Sequence, residues 1–273
     1  MGTLYVVATP IGNLQDFSPR AVECLRAVQL IAAEDTRHSG TLRRQFEINT
    51  PMVSYHHHNR QQREQQLLDA LDSGDVALIS DAGTPAIADP GQEIVAAAHA
   101  AGHKVVPIPG ASAAIAAVSA SGLVTGPFIF LGFVDRKGEG RRLALGKAHQ
   151  TGWPVVLFES PQRLRDTLAD LRAVFGDRQT IVARELTKLH EEIVPGTLSQ
   201  LEQLFSDREI RGEIVIVVGG GDVVASDINP EAIARRLLAE GLKPSRAARE
   251  LASIANIGSE EAYELIRGLR EKS

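Results

Sequence analysis

Cysteine and aromatic residues are scarce in this chain, and each scarcity excludes certain kinds of site. The single cysteine, Cys24, excludes an internal disulfide and a cysteine-rich zinc site. Its place in an amphipathic helical stretch predicts a small core residue. Aromatic residues make up 4% of the chain, so an extended platform for stacking bases is not expected. No apolar run reaches the roughly 18 residues that a membrane-spanning helix needs.

The rest of the composition is that of an ordinary globular protein. The 273 residues are 44% hydrophobic and 23% charged, which allows one large domain or two modest ones. The amino-terminal segment Leu4–Ile11 has the pattern of a buried strand followed by a turn, not that of a signal peptide. We therefore expect a cytoplasmic protein with no membrane segment.

Positive charge is concentrated in two stretches, although the net charge is −5. Five arginines stand against one acid between Arg37 and Arg63, and five basic residues against one acid between Arg136 and Lys147. Such clusters on an acidic chain indicate an anionic partner such as a nucleic acid, although two solvated faces would have the same composition. The candidate contact residues are Arg43, Arg44, Arg60, Arg63, Arg136, Lys137, Arg141 and Arg142.

Signatures for common nucleotide cofactors are absent. The first loop, residues 9–13, lacks the G-x-G-x-x-G pattern, and no G-x-x-x-x-G-K-[ST], H-E-x-x-H or G-x-S-x-G pattern occurs. The sequence therefore disfavours NAD(P) and ATP.

Apolar strand-like runs alternate with amphipathic helical stretches, which predicts an α/β protein with a largely parallel sheet. The predicted strands are Leu4–Ala8, Leu30–Ala33, Met52–Tyr55, Val76–Ile79, Val105–Ile108, Phe128–Phe133, Val155–Glu159, Thr180–Glu185 and Ile214–Val218. The turn-rich segment near 121–127 and the linker 219–229 predict lobes over 1–122 and 123–221 and a helical domain over 230–273. The three short helices of that domain fit a helix-turn-helix bundle or a packing or dimerisation domain.

Three loops, 9–13, 80–91 and 109–113, each follow a predicted strand. In a parallel sheet such loops converge on one edge, where open α/β sheets bind ligands. Asp81 and Asp89 offer acceptors for hydroxyls or amines, and the helix start after Pro109 can hold a carboxylate. Together these groups suit an amino-acid nucleoside such as S-adenosylmethionine.

Several long motifs, in order across residues 4–218, resemble the 16S ribosomal RNA cytidine 2′-O-methyltransferases of the tetrapyrrole methylase superfamily. They are LYVVATPIGNLQD, AAEDTRHSG, ISDAGTPAIADPG, VVPIPGASA, ARELTKLHEE and RGEIVIVV. The resemblance implies a two-lobed α/β fold with a small helical C-terminal domain and S-adenosylmethionine in the cleft between the lobes. It further implies a homodimer that methylates the ribose 2′-oxygen of a cytidine in the decoding region of 16S ribosomal RNA, within the small subunit.

The resemblance also implies a set of cofactor-binding residues. They are Pro10, Gly12, Asp81, Gly83, Thr84, Ile87, Ala88, Asp89, Ser112, Ala113, Phe158, Glu159, Ala183, Arg184, Gly212 and Glu213. Enzymes that act on tetrapyrroles usually carry G-x-G-P-G in the first loop, where this chain has ATPIGN. That departure favours the RNA branch. A methyltransferase of a small tetrapyrrole precursor and a non-enzymatic nucleic-acid-binding regulator are the alternatives.

Methyl transfer to a ribose hydroxyl needs an in-line approach and a group that takes or shares the hydroxyl proton. Asp35 is a candidate acceptor with Arg37 as a partner for phosphate or alkoxide, although the pair also fits a helix cap with a surface ion pair. His56 and Lys188 are further candidates. His56 and His58 would share a face in an extended strand, but no third ligand is spaced for a metal. We therefore predict no metal, and the base is left open among these groups.

Overall fold

The computed structural model describes residues 1–57, 59–222, 230–239, 242–255 and 257–271. The predicted histidine at 58 and residues 223–229 of the predicted linker lie outside the described residues. No helix in the described ranges is long and apolar enough to cross a membrane. Two compact units are present, 1–145 with 153–221, and 146–152 with 222–273.

Five parallel strands form the first sheet, in the order β3-β2-β4-β1-β5. The strands are β1 (Thr3–Val7), β2 (Leu30–Ala33), β3 (Met52–Ser54), β4 (Val76–Ile79) and β5 (Lys104–Ile108). The helices between and after them are α1 (Pro19–Ala27), α2 (Ser39–Gln45), α3 (Arg60–Ser73), α4 (Gln92–Ala100) and α5 (Ala113–Ser121). The prediction of a parallel sheet is confirmed for this half of the chain.

Both faces of this sheet are buried, as the apolar character of its strands requires. Alternate residues of β2 and β4 enter two different cores, with Ile31 and Ile79 on one side and Ala32 and Leu78 on the other. Since successive side chains of a strand point to opposite faces, a run of apolar residues can satisfy two cores at once. All of β4 is buried for this reason.

The loops after β1, β4 and β5 meet at one edge of the sheet, because these three strands are neighbours. Thr9 and Gly83 exchange backbone hydrogen bonds of 2.8 and 3.1 Å. The Thr84 hydroxyl donates to the carbonyl of Ala111 at 3.4 Å. The predicted convergence of the three loops is confirmed.

A second five-stranded sheet follows, in the order β6-β7-β10-β8-β9. Its strands are β6 (Ile129–Phe133), β7 (Val155–Glu159), β8 (Gln179–Arg184), β9 (Glu192–Thr197) and β10 (Ile214–Val218). Its helices are α6 (Glu139–Gln150), α7 (Leu164–Phe175) and α8 (Leu198–Leu204). Only the β6–β7 pair is parallel, and the other three pairs are antiparallel. The prediction of a largely parallel sheet is therefore wrong for this half.

Helix α5 joins the first lobe to the second sheet. Its residues Ala114 and Ala117 lie in one core with Val156 of β7 and Val215 of β10. Because alanine is small, the helix backbone approaches the sheet closely. This packing fixes the loops of the first sheet relative to strands β7 and β10.

The C-terminal helices are α9 (Pro230–Ala239), α10 (Pro244–Ala255) and α11 (Ser259–Glu271). Their apolar faces form a core of their own, which includes Leu237, Leu251 and Ile266. The three predicted helices are thus present in this part of the chain.

Candidate active site

A cavity of about 380 Å³ lies between the converged loops and the ends of β7 and β10. The loops supply Ile11, Asp81 and Ser112, and the second sheet supplies Phe158 and Val215. The sequence-predicted cofactor residues that line it are Asp81, Gly83, Thr84, Ile87, Asp89, Ser112, Ala113, Phe158, Glu159, Gly212 and Glu213. The structure therefore brings together most of a set that is scattered over more than half of the chain.

The other predicted cofactor residues lie elsewhere. Pro10 and Gly12 line a second, adjoining cavity, and Ala88 lines a neighbouring groove. Ala183 is 1% exposed in the core of β8. Arg184 bonds the Glu192 carboxylate at 3.1 Å and a backbone carbonyl at 2.9 Å, so its guanidinium holds β8 to its neighbours.

Three carboxylates gather in the first cavity, those of Glu34, Asp81 and Asp89. Asp81 is fixed by its neighbours: its carboxylate accepts the Asp35 N–H at 3.1 Å and its own N–H donates to Glu34 at 3.3 Å. Burial, aided by the charges of Glu34 and Asp81, raises the pKa of Asp89 to about 6. Such a site favours a cationic ligand, because a positive charge relieves the repulsion among the carboxylates.

The loop that carries these carboxylates has an unusual backbone. Ala86 and Ala88 have φ of 65° and 62°, a left-handed conformation that residues with a Cβ adopt rarely. Gly91 has φ of 144°, and a Cβ there would lie 2.8 Å from the Leu78 side chain. Strained backbone of this kind clusters at ligand-binding sites.

The opposite wall of the first cavity is apolar. The Phe158 ring makes edge-to-face contacts with Phe130 and Phe133 at centroid distances of 5.0 and 5.5 Å. Phe133 is 58% exposed on this wall, and Ile87, on the loop that carries Asp81 and Asp89, adds an apolar side chain that is 49% exposed. One wall therefore offers apolar surface to a ring, while the other offers carboxylates to hydroxyls and amines.

Glu159 lines the cavity, but its carboxylate bonds protein groups and does not face the open space. It accepts hydrogen bonds from the Thr167 hydroxyl at 2.6 Å and the Ser160 N–H at 2.7 Å, and it pairs with Arg163 at 3.2 Å. Its side chain is fully buried. Glu159 thus holds the end of β7 against the start of α7.

The second cavity has a volume of about 490 Å³ and shares Ile11, Asp81, Ala82 and Glu213 with the first. Its lining includes the predicted catalytic residues Arg37 and Lys188. Lys188 Nζ lies 2.8 Å from Glu185 Oε1 and 3.0 Å from Glu213 Oε2. The two cavities therefore meet at a wall that carries charged groups.

The other predicted catalytic residues differ in their setting. Arg37 bonds the Asp35 carboxylate at 3.1 Å and is 91% exposed. Hydrogen bonds from Arg37 hold the pKa of Asp35 below its usual range. His56 lines neither cavity, and its backbone N–H donates to Asn59 Oδ1 at 2.9 Å. In the part of the chain that the structure describes, no group of three or more His, Cys, Asp or Glu residues is arranged for a metal.

The predicted RNA-contact residues fall into exposed and engaged groups. Arg44, Arg136, Lys137 and Arg142 are exposed. Arg43 donates to the Ile48 carbonyl at 3.2 Å, and Arg60 and Arg63 contact Glu93 and Gln66.

Arg141 differs from the other basic residues because it is 5% exposed. It bonds Asp170 at 2.7 Å, Thr167 at 3.0 Å and the Asp135 carbonyl at 3.1 Å. Arg141 therefore belongs to the interior and not to a surface that RNA could reach.

Sequence reasoning missed several lining residues. Glu34 and Leu186 line the first cavity, and His38, Ser39 and Thr41 line the second. Ser39 begins α2, a helix that was not predicted. Glu34 could have been found, since it precedes Asp35 at the end of a predicted strand, where ligands are commonly bound.

Comparison with known proteins agrees with this geometry. The pattern of the Tetrapyrrole (Corrin/Porphyrin) Methylases matches residues 3–202. Ribosomal RNA small subunit methyltransferase I of Synechocystis sp. is 48% identical, over 97% of each chain. The protein of the same name from Halalkalibacterium halodurans is 41% identical, over 97% of this chain and 94% of its own.

A solved structure shares the fold. Uroporphyrin-III C-methyltransferase from Thermus thermophilus, complexed with S-adenosylhomocysteine, has a TM-score of 0.57 at 18% identity. The match covers 80% of this chain and 97% of that one. The predicted two-lobed tetrapyrrole-methylase fold is thereby confirmed. The chain belongs to the tetrapyrrole methylase family, and it is a methyltransferase that depends on S-adenosylmethionine.

Proposed function

We propose that this chain transfers the methyl group of S-adenosylmethionine to the ribose 2′-oxygen of a cytidine in the decoding region of 16S ribosomal RNA. The observation that carries the proposal is the pair of adjoining cavities, which share a wall at Ile11, Asp81, Ala82 and Glu213. A methyl donor in one cavity and a nucleoside in the other would come into contact where the two cavities share these residues.

The first cavity is the proposed cofactor site. Its carboxylates suit the sulfonium, the amino group and the ribose hydroxyls of S-adenosylmethionine, and its phenylalanine wall suits the adenine. Ser112 is the N-cap of α5, which begins at Ala113, and backbone N–H groups at a helix start can hold the carboxylate of the cofactor. The proposed cofactor residues are the eleven sequence-predicted residues that line this cavity, with the carboxylate of Glu159 in a supporting role.

The second cavity and the basic surface are the proposed RNA site. Arg44, Arg136, Lys137 and Arg142 are exposed, as contacts to phosphate require. Two relatives of the chain are named as methyltransferases of small-subunit ribosomal RNA. This shared name supports the RNA substrate over a tetrapyrrole precursor.

The proposal includes a homodimer that acts in the cytoplasm on 16S ribosomal RNA within the small subunit. It divides the chain into an N-terminal lobe at 1–122, a second lobe at 123–221 and a helical domain at 230–273. The division is supported by strand pairing, since neither sheet contains a strand from the other lobe. Light scattering on the purified chain tests the dimer, with twice the 29.4 kDa chain mass as the expected result.

Methyl transfer from tritiated S-adenosylmethionine tests the proposed activity. The chain is incubated in parallel with small-subunit particles, with their naked RNA and with uroporphyrinogen. Label in RNA from the first or second reaction supports the proposal, and label in the porphyrinogen alone replaces it with the tetrapyrrole activity. RNA binding without any transfer would instead identify a regulator.

A further inference from the structure

The wall between the two cavities carries two carboxylates, those of Asp81 and Glu213. Asp81 accepts the Asp35 N–H at 3.1 Å, so one of its oxygens organises the loops of the first sheet. Glu213 stands on the other lobe, and its side chain is 70% exposed. A carboxylate in contact with both cavities and with solvent can take a proton from a bound substrate and release it to solvent.

Lys188 approaches Glu213 from a separate loop. Its Nζ lies 3.0 Å from Glu213 Oε2 and 2.8 Å from Glu185 Oε1, and its side chain is 29% exposed. Burial opposes the charge of Lys188, but its hydrogen bonds to the two carboxylates raise its pKa above the ordinary value. Lys188 therefore enters the second cavity as a cation and not as a base.

The backbone around Lys188 is strained in a way that serves this placement. Glu185 and Thr187 have φ of 52° and 67°, where residues with a Cβ are uncommon. Gly212 has φ of 87°, and a Cβ there would overlap the Glu185 carboxylate. A Cβ on Gly12 would overlap the Lys188 stem. Two glycines and two strained residues thus leave room for one ammonium group at the wall.

Backbone hydrogen bonds lock the arrangement. The Glu185 N–H donates to the Glu213 carbonyl at 2.9 Å, and the Glu213 N–H donates to Glu185 Oε1 at 3.0 Å. The Thr187 N–H donates to Glu191 Oε2 at 2.6 Å. An isolated surface ion pair contributes little to stability. Here backbone hydrogen bonds also hold Glu185 and Glu213 beside Lys188.

We infer that Lys188 stabilises the negative charge that develops on the acceptor ribose oxygen and that Glu213 accepts the hydroxyl proton. The inference rests on the proposed function. The 2′-oxygen forms a bond to the methyl carbon as the carbon–sulfur bond breaks, and the electron pair of that bond stays on sulfur. The products are the 2′-O-methyl ribose, S-adenosylhomocysteine and a protonated Glu213, which returns its proton to solvent.

The other sequence-predicted candidates fit this role less well. Arg37 is 91% exposed and is held by Asp35, so it stands at the rim of the second cavity. His56 lines neither cavity. Lys188 and Glu213 also come from the lobe opposite to the carboxylate cluster, which leaves that cluster free for the cofactor.

Single-turnover methyl transfer to small-subunit RNA tests the inference, with the affinity for S-adenosylmethionine measured by calorimetry on the same samples. The variants are Lys188→Met, which keeps the stem over Gly12, and Lys188→Arg, which keeps the charge. Arg211→Met is the matched control, because Arg211 is 79% exposed, pairs with Glu209 and lines neither cavity. We expect Lys188→Met to lower the rate constant about 100-fold, Lys188→Arg to recover most of it, and the control to stay within twofold. Cofactor affinity stays within threefold in all three.

The Glu213→Gln variant tests the proton acceptor through the pH profile. The charged and titratable groups that contact Glu213 or share a cavity with it include, on its own lobe, Lys188, Glu185 and Glu159. On the other lobe they include Glu34, Asp81 and Asp89 in the first cavity and Arg37 and His38 in the second. The rate is measured at saturating S-adenosylmethionine, so that the pH dependence of cofactor binding does not contribute. We expect the fall in rate towards acid pH to be present in the wild-type chain and absent in Glu213→Gln.

Two results would overturn the inference while leaving the proposed function intact: RNA methylation by Lys188→Met within threefold of the wild-type rate, or an unchanged acid limb in Glu213→Gln. A wild-type chain that labels no RNA would overturn the proposed function and this inference together.

Discussion

Asp81 Oδ1 accepts the backbone N–H of Asp35 at 3.1 Å, which ties the loop after β4 to the loop after β2. Asp35 in turn holds the Arg37 guanidinium at 3.1 Å. The Asp81 carboxylate, which lines both cavities, is therefore linked through Asp35 to the Arg37 cation at the second cavity. This relationship makes the two cavities one site and leads to the first prediction.

Asp81→Ala is expected to weaken the binding of S-adenosylmethionine by about 100-fold, because the proposed charge-assisted hydrogen bond from the cofactor to the Asp81 carboxylate is lost. The transfer rate at saturating cofactor also falls, because the loop that carries Asp35 and Arg37 loses its hydrogen bond to the loop after β4. Calorimetry and the tritium assay measure the two effects. Asp16→Ala is the control, as Asp16 is exposed and lines neither cavity. Unchanged affinity in the Asp81 variant would refute the cofactor assignment.

Cofactor affinity should depend on pH through Asp89. Its pKa is about 6 in the unliganded chain, and a cation beside it favours the ionised form. Affinity for S-adenosylmethionine is therefore expected to rise about tenfold between pH 5 and pH 7. S-Adenosylhomocysteine, which lacks the sulfonium charge, should show a smaller rise, and Asp89→Asn should show none. Equal pH dependence for the two ligands would contradict the account.

The raised pKa of Asp89 also predicts how the free energy of unfolding changes with pH. The folded chain holds the Asp89 proton up to about pH 6, whereas an unfolded aspartate releases it near its ordinary pKa of about 4. The folded state therefore binds more protons in that window, and the free energy of unfolding falls as the pH rises through it. Urea unfolding of wild type and Asp89→Asn at several pH values measures the difference, and a wild-type curve parallel to that of the variant would count against it.

The exposed arginines should contribute to RNA affinity in a salt-dependent way. Arg44→Ala is expected to weaken RNA binding and to lower the slope of log K against log salt by about 0.7, the value for one phosphate contact on a single strand. Arg20→Ala serves as the control, because Arg20 is exposed on α1 outside both basic stretches. Filter binding over a range of salt measures the slopes, and equal slopes for the two variants would remove Arg44 from the RNA site.

Glu159 should matter for stability more than its place in the cavity wall suggests. Glu159→Ala leaves Arg163 without its buried partner and is expected to lower the free energy of unfolding by about 3 kcal/mol. Glu209→Ala breaks a Glu–Arg pair whose side chains are 75% and 79% exposed, and its effect should stay below about 1 kcal/mol. Urea denaturation measures both changes. Equal effects would show that the buried network does not hold β7 and α7 together.

The sequence was sufficient to predict the first sheet and the loops that converge at its edge. Apolar runs separated by helical stretches demand parallel pairing, because each crossover returns the chain to the same end of the sheet. Once β1, β4 and β5 are parallel strands, the loops after them must lie on one side. The cavity built from Asp81 and Ser112 follows from that geometry.

The second sheet could not be predicted in the same way. Its strand β9 (EIVPGT) contains Pro195 and Gly196, which are poor strand formers. Both are tolerated because β9 pairs only with β8 in the described sheet, so Pro195 need not donate to a second neighbour. Strand order and direction are set by tertiary packing and leave no local signal.

Local charge counts also failed where burial decides the role of a residue. Arg141 stands in a run of basic residues, yet it is buried on Asp170 and Thr167. Glu159, at the end of β7, is also a buried charge, and its hydrogen-bond partner Thr167 lies on the next helix, α7. Only the packing of α6 and α7 reveals that these two charges stabilise the lobe.

The chemical identity of the product tests the central claim most directly. RNA methylated by the chain is digested to nucleosides and analysed by mass spectrometry. The account predicts 2′-O-methylcytidine, with the added mass on the ribose fragment, at a single position of 16S ribosomal RNA. A methyl group on the cytosine base, or no modified nucleoside in the RNA, would contradict it.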